Sequence, residues 1–214
     1  MRDFPIFTTD YGVSSLILKE IPYRKKAYIC IRDVQPEHFS EHLKECVSFC
    51  KMAGADDIYA SGHKALETYP LYTRVLKMRG QPEFSGEEIA QLFPVTEQTV
   101  SRWRQIHNQA MENVDNAGTL ESRDEKRILE SGGAYFVHDQ GQLLGIGWMD
   151  GDVLLAVAAV QRGAGKRVMH TLFSINPGQT VTLEVASTNT RAIVLYERMG
   201  FIPVEDISSW YSVG

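Results

Sequence analysis

Between Val153 and Phe201 the chain alternates two kinds of segment, and that alternation limits its fold more than any other feature. VLLAVAAV (153–160) and VTLEV (181–185) are short apolar runs rich in β-branched residues, the composition of strands. Each leads into a helical segment. The first opens at QRGAGK (161–166) and runs to Phe173; the second starts at Asn189 and stops at Gly200. Two strands of one sheet separated by a helix lie parallel, joined by a right-handed crossover. Ahead of them, Tyr135–Val137 and Leu143–Trp148 flank Asp139-Gln140-Gly141, which predicts a hairpin, and Asp150-Gly151-Asp152 turns the chain again into Val153.

Upstream, Leu71–Met78 reads as a strand and helical periodicity covers Gly86–Leu92, Glu97–Val114 and Ser122–Leu129. Residues 71–214 therefore predict an α+β domain (an α/β three-layer arrangement) with a mixed, mostly antiparallel sheet, flanking helices and one parallel crossover near its end. Residues 1–70 predict a separate small α/β unit, structural or covering the substrate. Its strands are Ser14–Leu18, Ala27–Ile31 and Ile58–Ala60. Its helix, Glu37–Ala53, places Phe39, Leu43, Cys46, Val47 and Cys50 on one face and stops before Gly54.

The 214 residues carry a net charge of -5, which argues against a general nucleic-acid or anionic-membrane partner. No apolar run approaches a membrane span and the N-terminus has no signal-peptide pattern, so a cytoplasmic location is expected. Three cysteines, Cys30, Cys46 and Cys50, are then expected as reduced thiols. Cys46 and Cys50 lack His or Cys partners at ligand spacing, so no metal is expected and buried packing is the reading.

Chemistry concentrates in the same stretch as the constraining alternation. A strand, a glycine turn and a helix form a phosphate site, because N–H groups at a helix start lack internal partners and sit at the positive end of its dipole. Arg162, Lys166 and Arg167 add positive charge there. The turn fits neither a dinucleotide fingerprint nor a P-loop, since the glycine spacings differ and no Gly-Lys-Ser/Thr ending is present. Downstream, a carboxylate (Glu184), an amide (Asn189) and a phenol (Tyr196) come from successive elements and can converge at one end of the sheet. Asn189 also suits a helix N-cap.

The turn together with LEVxxxNxxAxxLYxxxGF, residues 183–201, resembles the GNAT superfamily of N-acetyltransferases. The second motif is similar to that of the enzymes acetylating the N-terminal alanine of a ribosomal protein. The resemblance spans about 140 residues and implies a GNAT-like fold that uses acetyl-CoA as acyl donor. It implies that main-chain groups of Val157, Ala158 and Val160 pair with pantetheine, and that the amides of Arg162, Gly163, Ala164, Gly165 and Lys166 hold the pyrophosphate. It further implies a cofactor contact from Asn189, with Tyr196 protonating the departing thiolate and Glu184 as general base. The family turn, Gln/Arg-x-x-Gly-x-Gly/Ala, can be laid on this chain in two registers. One puts Val160 at the leading position, the other Arg167 at the last. The acceptor, a small-molecule amine or a peptide N-terminus, and a homodimer both stay open.

One competing reading comes from GEEIAQLFPVTEQTVSRWRQ, 86–105, which resembles a DNA-reading helix-turn-helix attached to a degenerate acyl-CoA-binding domain. Its own acidic balance, Glu87, Glu88 and Glu97 against Arg102 and Arg104, disfavours contact with phosphates.

Overall fold

The computed structural model describes residues 5–82 and 89–214. The chain opens with β1 (Ile6–Thr8), β2 (Gly12–Ile17), α1 (Ile21–Arg24), β3 (Lys26–Val34), α2 (Phe39–Met52), β4 (Asp57–Ser61) and β5 (Leu71–Gly80). It continues through β6 (Gln91–Pro94), α3 (Val100–Met111), α4 (Glu125–Ser131), β7 (Ala134–Asp139), β8 (Gln142–Asp150) and β9 (Val153–Ala159). It closes with α5 (Gly165–Phe173), β10 (Val181–Ala186), α6 (Thr190–Arg198) and β11 (Ile202–Ser212). These elements form two compact units: one takes the chain up to Arg74 together with Ile207–Gly214, the other is Val75–Asp206. The expected boundary at 70/71 left the last eight residues with the larger unit. The structure places them with the smaller one, because Tyr211 and Ser212 pair with Ala60 and Tyr59 of β4.

In the smaller unit β1, β2 and β3 are antiparallel neighbours, and β3 runs parallel to β4 with α2 as the crossover. The expected face of α2 is the buried one: Phe39, Leu43, Cys46 and Cys50 join Leu16, Ile29 and Ile58 in the core. Burial pushes the Cys50 thiol up to about 12, so it is an inert packing group at neutral pH. On the same helix His42 is wholly buried among hydroxyls, with Thr9 Oγ1 2.8 Å from Nδ1 and Ser14 Oγ 2.8 Å from Nε2.

The larger unit carries a mixed sheet in the order β5-β10-β9-β8-β7-β6, antiparallel except where β10 meets β9. Helices cover both faces. On one face α5 lies so close to β8 that a Cβ at Gly147 would come within 2.2 Å of Leu172, and one at Gly145 within 2.8 Å of Val168. On the other, Trp103 of α3 meets Trp148 of β8 edge-on at 6.0 Å, and Ile146 and Ile128 fill the space around them. Both indoles are satisfied: Trp103 Nε1 donates to the Tyr135 carbonyl and Trp148 Nε1 to Ser131 Oγ. This is the three-layer arrangement expected from the sequence.

One element differs. Of the helix expected over 86–92, residues 86–88 lie outside the described residues, while Gln91–Pro94 is a strand in register with Tyr135–His138. The apolar spacing of Ile89, Ala90, Leu92 and Phe93 mimics a helical face, but pairing along the free edge of β7 wins. Pro94 is tolerated because β6 is the last strand of the sheet. The helix-turn-helix reading therefore loses the second half of its first helix.

Candidate active site

The two parallel strands hold each other only at their starts. Thr182 pairs with Val153 and Leu183 with Leu154; beyond that β9 and β10 part. The gap is the geometric consequence of β9 remaining bound to β8 along its other edge, through Gly145–Ala159 and onward to Trp148–Ala156. Val160 N–H donates to the Leu144 carbonyl at 2.8 Å, which fixes the alternation of that antiparallel ladder. In such a ladder every second residue turns its N–H and C=O to the partner. Ala158 and Val160 therefore spend their main-chain groups on β8, whereas Val157 and Ala159 present theirs to the open side. Of the residues expected there, Val157 has its main-chain groups on the open side, Ala158 and Val160 turn theirs to β8, and Ala159 adds a second open set.

A cleft of about 730 Å³ occupies the opened side, and a second cavity of about 300 Å³ adjoins it. Both are lined by Val157, Asn189, Ala192 and Tyr196, and by Met111 and Val114. Gly163, Gly165 and Lys166 line the larger one; Val160, Arg162 and Ala164 line neither. Helix α5 begins at Gly165, which fits the register with Val160 leading. Gly163 takes φ 86, a left-handed conformation costly for any residue with a Cβ. Ala164 N–H turns back to the Gln161 carbonyl, while the N–H groups of Arg162, Gly163 and Gly165 find no acceptor among the described residues. Arg167 is committed elsewhere, its Nη1 2.7 Å from Asp139 Oδ2. The positive charge on the cleft comes instead from Lys166, Arg191 and Arg198. The last two are seven residues apart on one helix, hence on one face, a spacing readable in the sequence and overlooked there.

Asn189 caps α6, accepting from Ala192 N–H at 3.2 Å through Oδ1. Tyr196, two turns in, is buried in the common wall of both cavities, and burial pushes its phenol up to about 12. It therefore keeps its proton throughout the physiological range. Glu184 is exposed and lines the smaller cavity, opposite Lys77 in the β5–β10 register. That cavity also gathers His107, Asp115 and Asn116, from α3 and the segment after it. Nothing in their own sequence context marks these three; they become neighbours of Glu184 only when α3 lies across the parted strands. His138, by contrast, packs beside Phe93 and lines neither cavity.

The fold is that of the GNAT-family acetyltransferases. The chain aligns over 99% of its length with 89% of a GCN5-related N-acetyltransferase from Kribbella flavida, at 14% identity and a TM-score of 0.52. It aligns over 98% of its length with 84% of a GNAT-family acetyltransferase from Colwellia psychrerythraea, at 13% identity and a TM-score of 0.51. A conserved Staphylococcus epidermidis protein of unknown function is similar over 99% of this chain and 94% of its own, at 11% identity and a TM-score of 0.57. No protein-family model and no curated protein matches the sequence. Among the described residues no helix is long and apolar enough to cross a membrane.

Proposed function

We propose that this protein is an acyl-CoA N-acyltransferase that transfers acetyl from acetyl-CoA to a primary amine by direct attack. The observation that carries the reading is the parting of β9 from β10 with a buried, protonated Tyr196 in the wall of the resulting cleft. The residues present fit the cosubstrate. Open-edge groups of Val157 and Ala159 suit the amides of pantetheine, and the unpaired turn amides at Gly163 and Gly165 suit a pyrophosphate. Lys166, Arg191 and Arg198 suit its charges. Bound there, acetyl-CoA supplies a thioester whose acyl group an amine can take, releasing a thiol.

The chain's own groups then have definable tasks. An alkylamine of pKa about 10 is protonated in all but roughly one molecule per thousand at pH 7, so a proton acceptor beside it helps. Glu184 is that acceptor, directly or through water, and His107 and Asp115 line the same cavity. Tyr196 donates a hydrogen bond toward the departing sulfur. With its pKa near 12 it is a weaker acid than a thiol, whose ordinary value is about 8.5, so it stabilises developing charge and relays a proton rather than surrendering one outright. No cysteine lines either cavity, and all three lie in the smaller unit, which favours direct transfer over an acyl-enzyme.

The test is calorimetric titration with acetyl-CoA and with desulfo-CoA at moderate salt, followed by amine-dependent thiol release. Micromolar binding is expected, weakened at least ~10-fold by Gly165→Glu, whose new side chain starts 3.0 Å from Leu195 and points charge at the phosphate site. Absence of binding up to millimolar acetyl-CoA sinks the proposal.

A further inference from the structure

Where β9 and β10 part, the sheet leaves a rung empty. In a parallel ladder one residue donates its N–H to a carbonyl of the neighbouring strand and accepts from the N–H two residues further along it. Thr182 N–H donates to the Asp152 carbonyl at 2.9 Å, so Thr182 turns toward β9, and the alternation of the strand turns Glu184 and Ala186 the same way. The last rung is Leu183 with Leu154. Beyond it the Glu184 carbonyl and the Ala186 N–H face the gap, and neither has a partner among the described residues. The Ala186 carbonyl, by contrast, accepts from Asn189 N–H at 2.9 Å. Ala186 is 6% exposed, and a buried N–H without an acceptor is rare.

The empty rung belongs to the smaller cavity. Glu184, Val185 and Ala186 line it from one side and residues 154–157 from the other, and none of the first three lines the cleft assigned to acetyl-CoA. Val157 and Tyr196 line both. A molecule on the rung therefore sits beside the acetyl-CoA cleft and shares with it the wall that carries Tyr196.

The two free groups are spaced for one extended residue. A matching molecule carries an N–H donor and a carbonyl oxygen joined through a single carbon, the N–C–C=O unit of an α-amino acyl compound. A simple alkylamine fills half of the rung, and a β-amino carbonyl is one carbon out of register. A neutral primary amine keeps two N–H bonds and a lone pair, so it can donate to the Glu184 carbonyl and still attack a thioester.

We infer that the acceptor is an α-amino acyl compound bound as the missing rung, its amine on the Glu184 carbonyl and its carbonyl on the Ala186 N–H. This rests on the acetyl-transfer reading above. The nitrogen loses one proton and forms the new C–N bond as the C–S bond breaks, and the thiol gains a proton, so the exchange needs no further reactant. Two sources share this chemistry, small α-amino amides and peptide N-termini.

The experiment measures thiol release from acetyl-CoA with glycinamide, glycylglycinamide, β-alaninamide and ethylamine, in wild type and in Ala186→Pro. The proline deletes the N–H and keeps the carbonyl, on a strand edge where proline is tolerated. Rates are referred to the neutral amine, because an α-amine titrates at about 8 and an alkylamine at about 10. Acetyl-CoA affinity is recorded in parallel. In wild type, kcat/KM for the better α-amino amide is expected at least ~10-fold above both β-alaninamide and ethylamine, the scale of one hydrogen bond lost to an unpaired group. Glycinamide as the better substrate assigns the small-amide source, glycylglycinamide the peptide source. Ala186→Pro should bring the glycinamide-to-ethylamine ratio to within about twofold of one while acetyl-CoA still binds. Equal turnover of α-amino amides and β-alaninamide in wild type, or a ratio preserved in an Ala186→Pro that binds acetyl-CoA, overturns the inference and leaves the transfer reading standing. If Ala186→Pro no longer binds acetyl-CoA, the wild-type series decides by itself. No turnover of any of the four amines by a wild type that binds acetyl-CoA overturns the inference too. Loss of acetyl-CoA binding in wild type removes both readings together.

Discussion

Tyr196 shows how one side chain's role is set by its surroundings. A phenol ordinarily titrates near 10; buried in the wall of the cleft it moves to about 12 because burial penalises the anion. A proton donor that stays protonated should give a kcat that does not fall from its own ionisation until well above pH 10. Tyr196→Phe removes the donor and leaves the ring's packing, so kcat is expected to drop ~100-fold or more while acetyl-CoA affinity holds. An unchanged kcat across the pH range, by steady-state kinetics, removes Tyr196 from the mechanism. The linkage has the same sign. Between pH 10 and 12 the unfolded chain releases this proton before the folded one, so this contribution to stability diminishes as pH rises through that window.

At the scale of elements, the cleft depends on α5 being pressed onto β8. The contact is possible because Gly147 offers no Cβ where Leu172 enters the sheet. Gly147→Val is expected to destabilise the protein by about 1–3 kcal/mol through overpacking, measured as a lower urea midpoint, with the larger loss seen in hydrogen exchange at α5. A variant as stable as wild type would show that the helix can shift away without cost. The elements that were legible in the sequence are those whose own residues decide them: β9, α5, β10 and α6, with glycine or asparagine at their ends and a clear period between. Residues 91–94 were not legible, since whether a four-residue apolar run joins a helix or an edge depends on what lies beside it.

At the scale of the whole molecule, two units with separate cores are expected to respond differently to acid. His42 lies inside the smaller core, and burial holds its imidazole below the usual value of 6.5, with the nearby Glu45 carboxylate opposing only in part. Below that pH the unfolded chain takes up a proton that the folded chain resists, so stability falls as pH falls. Amides of α2 are therefore expected to lose more exchange protection between pH 7.5 and 5.5 than those of α5, and the difference should shrink in His42→Gln. Equal losses in the two helices would relocate the acid-sensitive group.

What the sequence determined by itself is the order of the last two strand–helix pairs and the placing of Gly163, Gly165, Asn189 and Tyr196 within them. Turn glycines, caps and periodicity are local signals, written within a few residues of the feature they specify. The tertiary structure decided the rest. Strand alternation against β8 chose Val157 and Ala159 over their neighbours for the open edge. The docking of α3 and its following segment brought His107, Asp115 and Asn116 to Glu184 across some 70 residues of chain. A cavity wall assembled from four or five segments has no local signature, because its chemistry exists only once packing has removed those side chains from water and set them facing one another.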